Sequence, residues 1–218
     1  MDTMASNASP ARLRLVHGSQ AEPGPELLGP VGALSDAQLV ALVCQRDARA
    51  FEVLYRRHAP FAVNLAVRIQ GSAVDVEDIV HDAFLKAHAR VGELREGQAF
   101  RSWLGAIVVR LVRTRLRRHR LLSGLGLGTA EPVELEAVAS SDAGPEARAL
   151  LAQIYALLKT IPADDRIAWT LRYIERHRLE MVAELTSCSL ATAKRRIQRA
   201  QRFLNTHFVA PFAEEASA

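Results

Sequence analysis

The sequence predicts an all-α protein made of two small helical domains joined by a flexible linker. Three observations predict it. Apolar residues recur at helical spacing over several stretches, and no alternating strand pattern of useful length interrupts them. Aromatic residues are only 6% of the chain, which suits cores packed from Leu, Ala and Val better than a sheet core. Near the middle, residues 121–147 lose all periodicity and gather Gly124, Gly126, Gly128, Pro132, Gly144 and Pro145 together with Glu131, Glu134, Glu136 and Asp142. That is linker composition. A length of 218 residues accommodates two such domains, each with a modest core.

Residues 1–34 carry Pro10, Pro23, Pro25 and Pro30 without any sustained period, and are expected to form a disordered tail. Ser35 and Asp36 are N-cap candidates for a first helix through Leu39, Val40, Leu42 and Val43. A second helix runs through Phe51, Val53 and Leu54 to Ile69, with Pro60 expected to kink or divide it and Gly71 and Ser72 closing it. The third opens near Asp75, where Glu77 and Asp78 suit the positive end of a helix dipole, and continues to about Val91. After loop signals at Gly92 and Gly97, a long helix is expected from Phe100 to about Arg120. Beyond the linker, short helices are expected at about 146–159, 164–176, 178–186 and 190–208. The domain boundaries are therefore set at 35–120 and 148–208, with a C-terminal tail at 209–218.

Cys44 and Cys188 are the only cysteines and lie far apart, so neither a disulfide framework nor a cysteine zinc site is expected, and a reducing cytoplasm is the default. No signal-peptide run or stretch of about 20 apolar residues suggests secretion or membrane insertion.

The net charge of +4 conceals strong clustering. From Arg101 to Arg120 there are seven arginines and no acid, and between Glu184 and Glu214 the charges are Lys194, Arg195, Arg196, Arg199 and Arg202. Both stretches suit a polyanion.

Three helix faces follow from 100° per residue. On the third helix, Val76, Ile79, Val80, Ala83, Ala87 and Val91 share a core-facing arc, while Asp78, His81 and Asp82 surround Leu85 on the other side. This outer arc is either a solvated face with one exposed leucine or a docking face with Leu85 as anchor and the acids as guides toward a basic partner. On the long helix, Phe100, Trp103, Leu104, Ile107 and Leu111 make the buried stripe, and Arg110, Arg113, Arg117 and Arg120 stack on another face. Like charges at that spacing repel, and no nearby acid compensates them, which points to phosphate contact rather than a merely solvated face. Toward the C-terminus, Leu179, Val182 and Leu185 form a short stripe, Thr186 and Ser187 a turn, and Ser189 a cap for a helix whose apolar arc is Ala193, Ile197, Ala200 and Leu204. Arg195, Arg199 and Arg202 lie opposite, flanked by Thr192 and Arg196. This is a helix-turn-helix layout, in which the second helix enters a major groove; the alternative is a basic amphipathic helix that merely packs.

Three strings in this order carry a resemblance. Asp75-Val-Glu-Asp-Ile-Val-His-Asp-Ala-Phe-Leu-Lys-Ala-His resembles the clamp-binding helix of the extracytoplasmic-function sigma factors of bacterial RNA polymerase; Phe100-Arg-Ser-Trp-Leu-Gly-Ala-Ile resembles their promoter-melting helix; and Ser189-Leu-Ala-Thr-Ala-Lys-Arg-Arg-Ile-Gln-Arg-Ala resembles their recognition helix. The resemblance covers about residues 36–120 and 148–206. It implies a sigma region 2 bundle and a sigma region 4 helix-turn-helix, with core RNA polymerase and promoter DNA as partners, no cofactor, no metal and no catalytic site. It further implies that Asp78, Asp82 and Leu85 meet the clamp helices of the beta-prime subunit. The beta flap is a second contact, and an anti-sigma factor a possible regulator. Arg101, Trp103, Arg110, Arg113, Arg117 and Arg120 would serve the minus-ten element, where a flipped base is held. Thr192, Lys194, Arg195, Arg196 and Arg199 would read the minus-thirty-five element, and the linker would thread toward the active cleft.

The chain departs from the family pattern at Arg110 and Thr114, where Asn and then Asp are usual, and at Ser187, where Gly is usual. Arg110 cannot accept a hydrogen bond as an amide can. Two other readings compete. One is a helix-turn-helix regulator acting without polymerase; the other is a metal-dependent hydrolase using Asp75, Glu77, Asp78, His81, Asp82 and His88, for which no second ligand set or glycine-rich phosphate loop is evident.

Overall fold

The computed structural model describes residues 29–125 and 144–208. The expectations placed on residues 1–28, on the centre of the linker at 126–143 and on the tail from 209 lie outside the described residues. All regular elements among the described residues are helical.

The N-terminal module comprises α1 (Asp36–Cys44), α2 (Ala48–Gln70), α3 (Val76–Arg90) and α4 (Phe100–Gly124). Ser35 caps α1 with a full capping box: its hydroxyl accepts from the Gln38 amide, and the Gln38 side chain accepts from the Ser35 amide. Asp47 caps α2 by accepting from the amides of Arg49 and Ala50. Pro60 does not divide α2, which runs unbroken for 23 residues. Both Pro60 and Arg56, whose carbonyl loses its usual donor, are exposed. Gly71 ends α2 in the left-handed region at φ 69°. Asp75 precedes α3 but makes no side-chain cap; it is left-handed at φ 56°, and its carboxylate pairs with Arg115 of α4.

Two boundaries differ from the expectation. A 3-10 turn at Gly29–Ala33 lies where tail was expected, because Val31 and Leu34 pack on the core and Arg57 donates to the carbonyls of Gly32 and Leu34. The last long helix of the module reaches Gly124 rather than Arg120, carried on by Leu121 and Leu122.

The C-terminal module comprises α5 (Pro145–Thr160), α6 (Ala163–Trp169), a π-helical turn (Thr170–Ile174), α7 (Leu179–Leu185) and α8 (Leu190–His207). Pro145 occupies the first turn of α5, where its missing amide costs nothing. The expected helix 164–176 is thus α6 followed by the π turn. Ser189 caps α8, accepting from the Thr192 amide at 3.2 Å. Ser187, in the turn between α7 and α8, is left-handed at φ 51°. That conformation is the reason a glycine is usual there.

The modules are not independent bodies. One apolar cluster runs from Leu39, Leu54 and Phe100 through Val108 to Ile167, Leu171, Leu185 and Ile197. A smaller one holds Tyr155, Leu158, Ile161, Trp169, Ala200 and Leu204 together. The α4 helix packs on α6 and α7, and α2 packs on the π turn. Gly105 permits the approach of α7, since a β-carbon there would stand 3.1 Å from Leu185 Cδ2.

Candidate nucleic-acid interface

The recognition-helix candidate α8 buries Ala193, Ile197, Ala200 and Leu204 and turns Lys194, Arg195 and Arg199 outward. Its first turn is pre-ordered: Ser189 Oγ and Thr192 Oγ1 are 2.9 Å apart, and Arg195 Nη2 donates to Thr192 Oγ1 at 3.3 Å. These contacts tie the side chains of the first turn of α8 together.

On α4, Phe100, Leu104, Ile107, Val108, Val112 and Leu116 are buried. Trp103 is half-buried against that core, its ring 6.1 Å from Phe100, and Arg101 lies over the Phe61 ring at 4.0 Å. Thr114 bonds back to the Arg110 carbonyl, and Arg110 itself is exposed.

The stack of bare, mutually repelling arginines expected on α4 is not what the fold contains. Compensating acids arrive from the other module, at Asp164 and Asp165 in the first turn of α6. Asp164 accepts from Arg117 Nη2 at 3.1 Å and from Arg196 Nη2 at 2.6 Å, and Arg113 Nε stands 3.0 Å from its other oxygen. Asp165, 3% exposed, takes Arg199 in a two-pronged grip with bonds of 2.9 and 2.6 Å. Arg113 and Arg120 also donate to the carbonyls of Thr186 and Thr160. Burial lowers the Arg113 guanidinium from its ordinary value against the pull of Asp164, whereas the hydrogen bonds that Arg199 donates to Asp165 raise Arg199. Sequence reasoning missed both acids, although their place in the first turn of α6 was the available signal.

A separate face lies on α2 and α3. Leu85 is 56% exposed, with Asp78 and Asp82 exposed beside it. It forms the rim of an apolar groove with Phe51, Tyr55 and Phe84, in which the Tyr55 and Phe84 rings are 4.6 Å apart. Phe51 and Tyr55 were not singled out from the sequence, although their spacing on one helix face was the available signal. Among the described residues, no three His, Cys, Asp or Glu side chains are grouped to hold a metal ion, and no helix is long and apolar enough to cross a membrane.

A family model described as Sigma-70 region 2 matches residues 54–121, and one described as Sigma-70, region 4 matches residues 151–204. The RNA polymerase sigma-H factor of Pseudomonas aeruginosa is 30% identical over 178 residues, covering 78% of this chain and 92% of that protein. The chain belongs to the sigma-70 family. Its relatives place it in the extracytoplasmic-function group: the ECF RNA polymerase sigma-E factor of Escherichia coli K12 is 29% identical over 179 residues, covering 79% of this chain and 93% of that one. Solved structures share the fold. The sigma factor RpoE, in complex with the anti-sigma factor NepR from Bartonella quintana, has TM-score 0.57 at 22% identity over 73% of this chain and 96% of its own. CnrH, in complex with the cytosolic domain of CnrY, has TM-score 0.53 at 24% identity over 78% and 95%. Sigma region 2 thus corresponds to α2–α4 and sigma region 4 to α5–α8.

Proposed function

We propose that this chain is an alternative sigma factor that joins core RNA polymerase, recognises promoter DNA and promotes transcription initiation. The observation that carries this reading is the match of region 2 and region 4, in that order, to two helical modules that each bear a basic helix face. The chain supplies recognition and strand holding and no catalytic group; bond formation belongs to the polymerase, in the cytoplasm.

Leu85 anchors the clamp contact, with Asp78 and Asp82 steering a basic surface toward the groove of Phe51, Tyr55 and Phe84. Arg101, Trp103, Arg110, Arg113, Arg117 and Arg120 serve the minus-ten element, the arginines as phosphate contacts and Trp103 as a stacking surface. Thr192, Lys194, Arg195, Arg196 and Arg199 read the minus-thirty-five element from α8. An anti-sigma partner is supported by the solved sigma factor RpoE, captured in complex with the anti-sigma factor NepR. The test is run-off transcription: core polymerase plus the purified chain should start transcripts at discrete genomic sites. Its failure to start any would refute the reading.

A further inference from the structure

We propose that the cleft between α4, α6 and α8 is a binding site for a short polyphosphate chain, held by Arg117 and Arg120 of α4 and by Arg196 and Arg199 of α8. The inference goes beyond the promoter-binding reading and does not depend on it. The cleft has a volume of about 280 Å³ and is walled by those four arginines together with Asp164 and Asp165 of α6. Its guanidiniums outnumber its carboxylates by two. Arg113, also within ion-pair distance of Asp164, adds a further positive charge nearby.

The two acids do not exhaust the donors. Asp165 takes Nε and Nη2 of Arg199, and Asp164 takes Nη2 of Arg117 and Nη2 of Arg196. Arg120 donates to the Thr160 carbonyl across 3.3 Å. A guanidinium carries five N–H donors, so each of the four keeps some to offer. Arg196 Nη1 is the sharpest case: it is buried and, among the described residues, has no hydrogen-bond partner. A buried charged donor left unpaired is costly, and an anion oxygen entering the cleft beside it would remove that cost.

The arrangement selects the class of anion. A guanidinium fork matches phosphate oxygens two at a time, and an excess of positive charge favours a ligand with several negative charges. Arg117 and Arg196 lie close enough to share one oxygen of Asp164, the spacing that acceptors on one phosphoryl group require. Arg120 and Arg199 are anchored elsewhere, on Thr160 and Asp165, so engaging all four takes more than one phosphoryl group. Pro162 and Ala163 complete the wall and offer no ring on which a base could stack, so the cleft reads the phosphate chain and not a nucleobase. A ligand seated there touches both modules at once, and its concentration then adds to the free energy that holds them together.

The experiment titrates the full chain with sodium tripolyphosphate in a calorimeter, with ionic strength held constant by sodium chloride. Saturable one-to-one binding is expected, with ATP within about threefold of tripolyphosphate and sulfate at least about tenfold weaker. Arg117→Gln with Arg120→Gln should weaken tripolyphosphate at least about tenfold; both side chains are exposed, so the fold stays intact. Arg95→Gln with Arg118→Gln removes the same charge from exposed positions outside the cleft and should leave affinity within about twofold. Arg196→Lys keeps the charge but loses the fork, and should weaken binding several-fold. Absence of saturable binding, equal losses in the two double variants, or full affinity in Arg196→Lys overturns the proposal. ATP binding more than about tenfold tighter than tripolyphosphate overturns the assignment to the phosphate chain.

Discussion

The ring of Tyr155, on the C-terminal module, lies against Gly71 at the end of α2, so closely that a β-carbon on Gly71 would stand 2.7 Å from Tyr155 Cδ1. The glycine is also left-handed, at φ 69°. Both the turn and the docking of the second module therefore depend on the absence of a side chain.

Gly71→Ala should destabilise the chain by about 1–3 kcal/mol, from backbone strain alone before the clash with Tyr155 is added. A fall in the urea midpoint at unchanged slope checks it; an unchanged midpoint would show that Gly71 is not left-handed in solution.

Ser187→Gly should act in the opposite direction. Ser187 holds φ 51° in the helix-turn-helix turn, a conformation that disfavours a residue with a β-carbon. The gain should be about 0.5–1 kcal/mol after the extra freedom of unfolded glycine is subtracted. Thermal unfolding reads it directly.

Leu85→Ala together with Asp82→Ala should weaken association with core polymerase by about 2 kcal/mol, the scale of an interface anchor, while leaving circular dichroism unchanged. Both side chains are exposed, so the fold does not depend on them. Undiminished co-purification with core enzyme would remove Leu85 from the docking face.

Arg195→Ala should reduce discrimination at the upstream promoter element by roughly 1–3 kcal/mol if its guanidinium reads a base. Arg195 is exposed and, among the described residues, bonded to Thr192, whereas Arg199 must first leave Asp165. Competition between promoters altered at single upstream positions is the measurement, and equal losses across all positions would make Arg195 a phosphate contact.

Stability should fall below pH 6.5. Burial holds the His58 imidazole below its ordinary value, despite the Asp36 carboxylate 2.8 Å from Nε2. As pH drops below 6.5, the unfolded chain takes up a proton that the folded chain resists, so stability decreases until the folded value is passed. The melting temperature of wild type should show this slope, and His58→Gln should lose it.

Helix content was legible because capping and periodicity are local: Ser35 and Ser189 announce their helices within three residues. The basic faces of α4 and α8 and the exposed Leu85 were legible for the same reason. What decides the state of those faces was not. Arg113 and Asp164 are fifty-one positions apart in sequence, and nothing local links them. Arg166 gave no sign of its burial, since arginine is nearly always exposed unless paired. Pro60 does not divide α2, since a single proline removes one amide donor and leaves the rest of the helical ladder in place.

The apolar cluster that joins Phe100 to Leu185 and Ile197 also bears on how much of the chain is available at any moment. Every association constant is scaled by the fraction of molecules already in the competent shape, so a protein opened about one time in a hundred binds about a hundredfold more weakly than its exposed surfaces allow. Substitutions that tighten this shared interior would then make the protein harder to unfold and scarcer in use, and cellular dosage would follow packing in places that no partner ever touches.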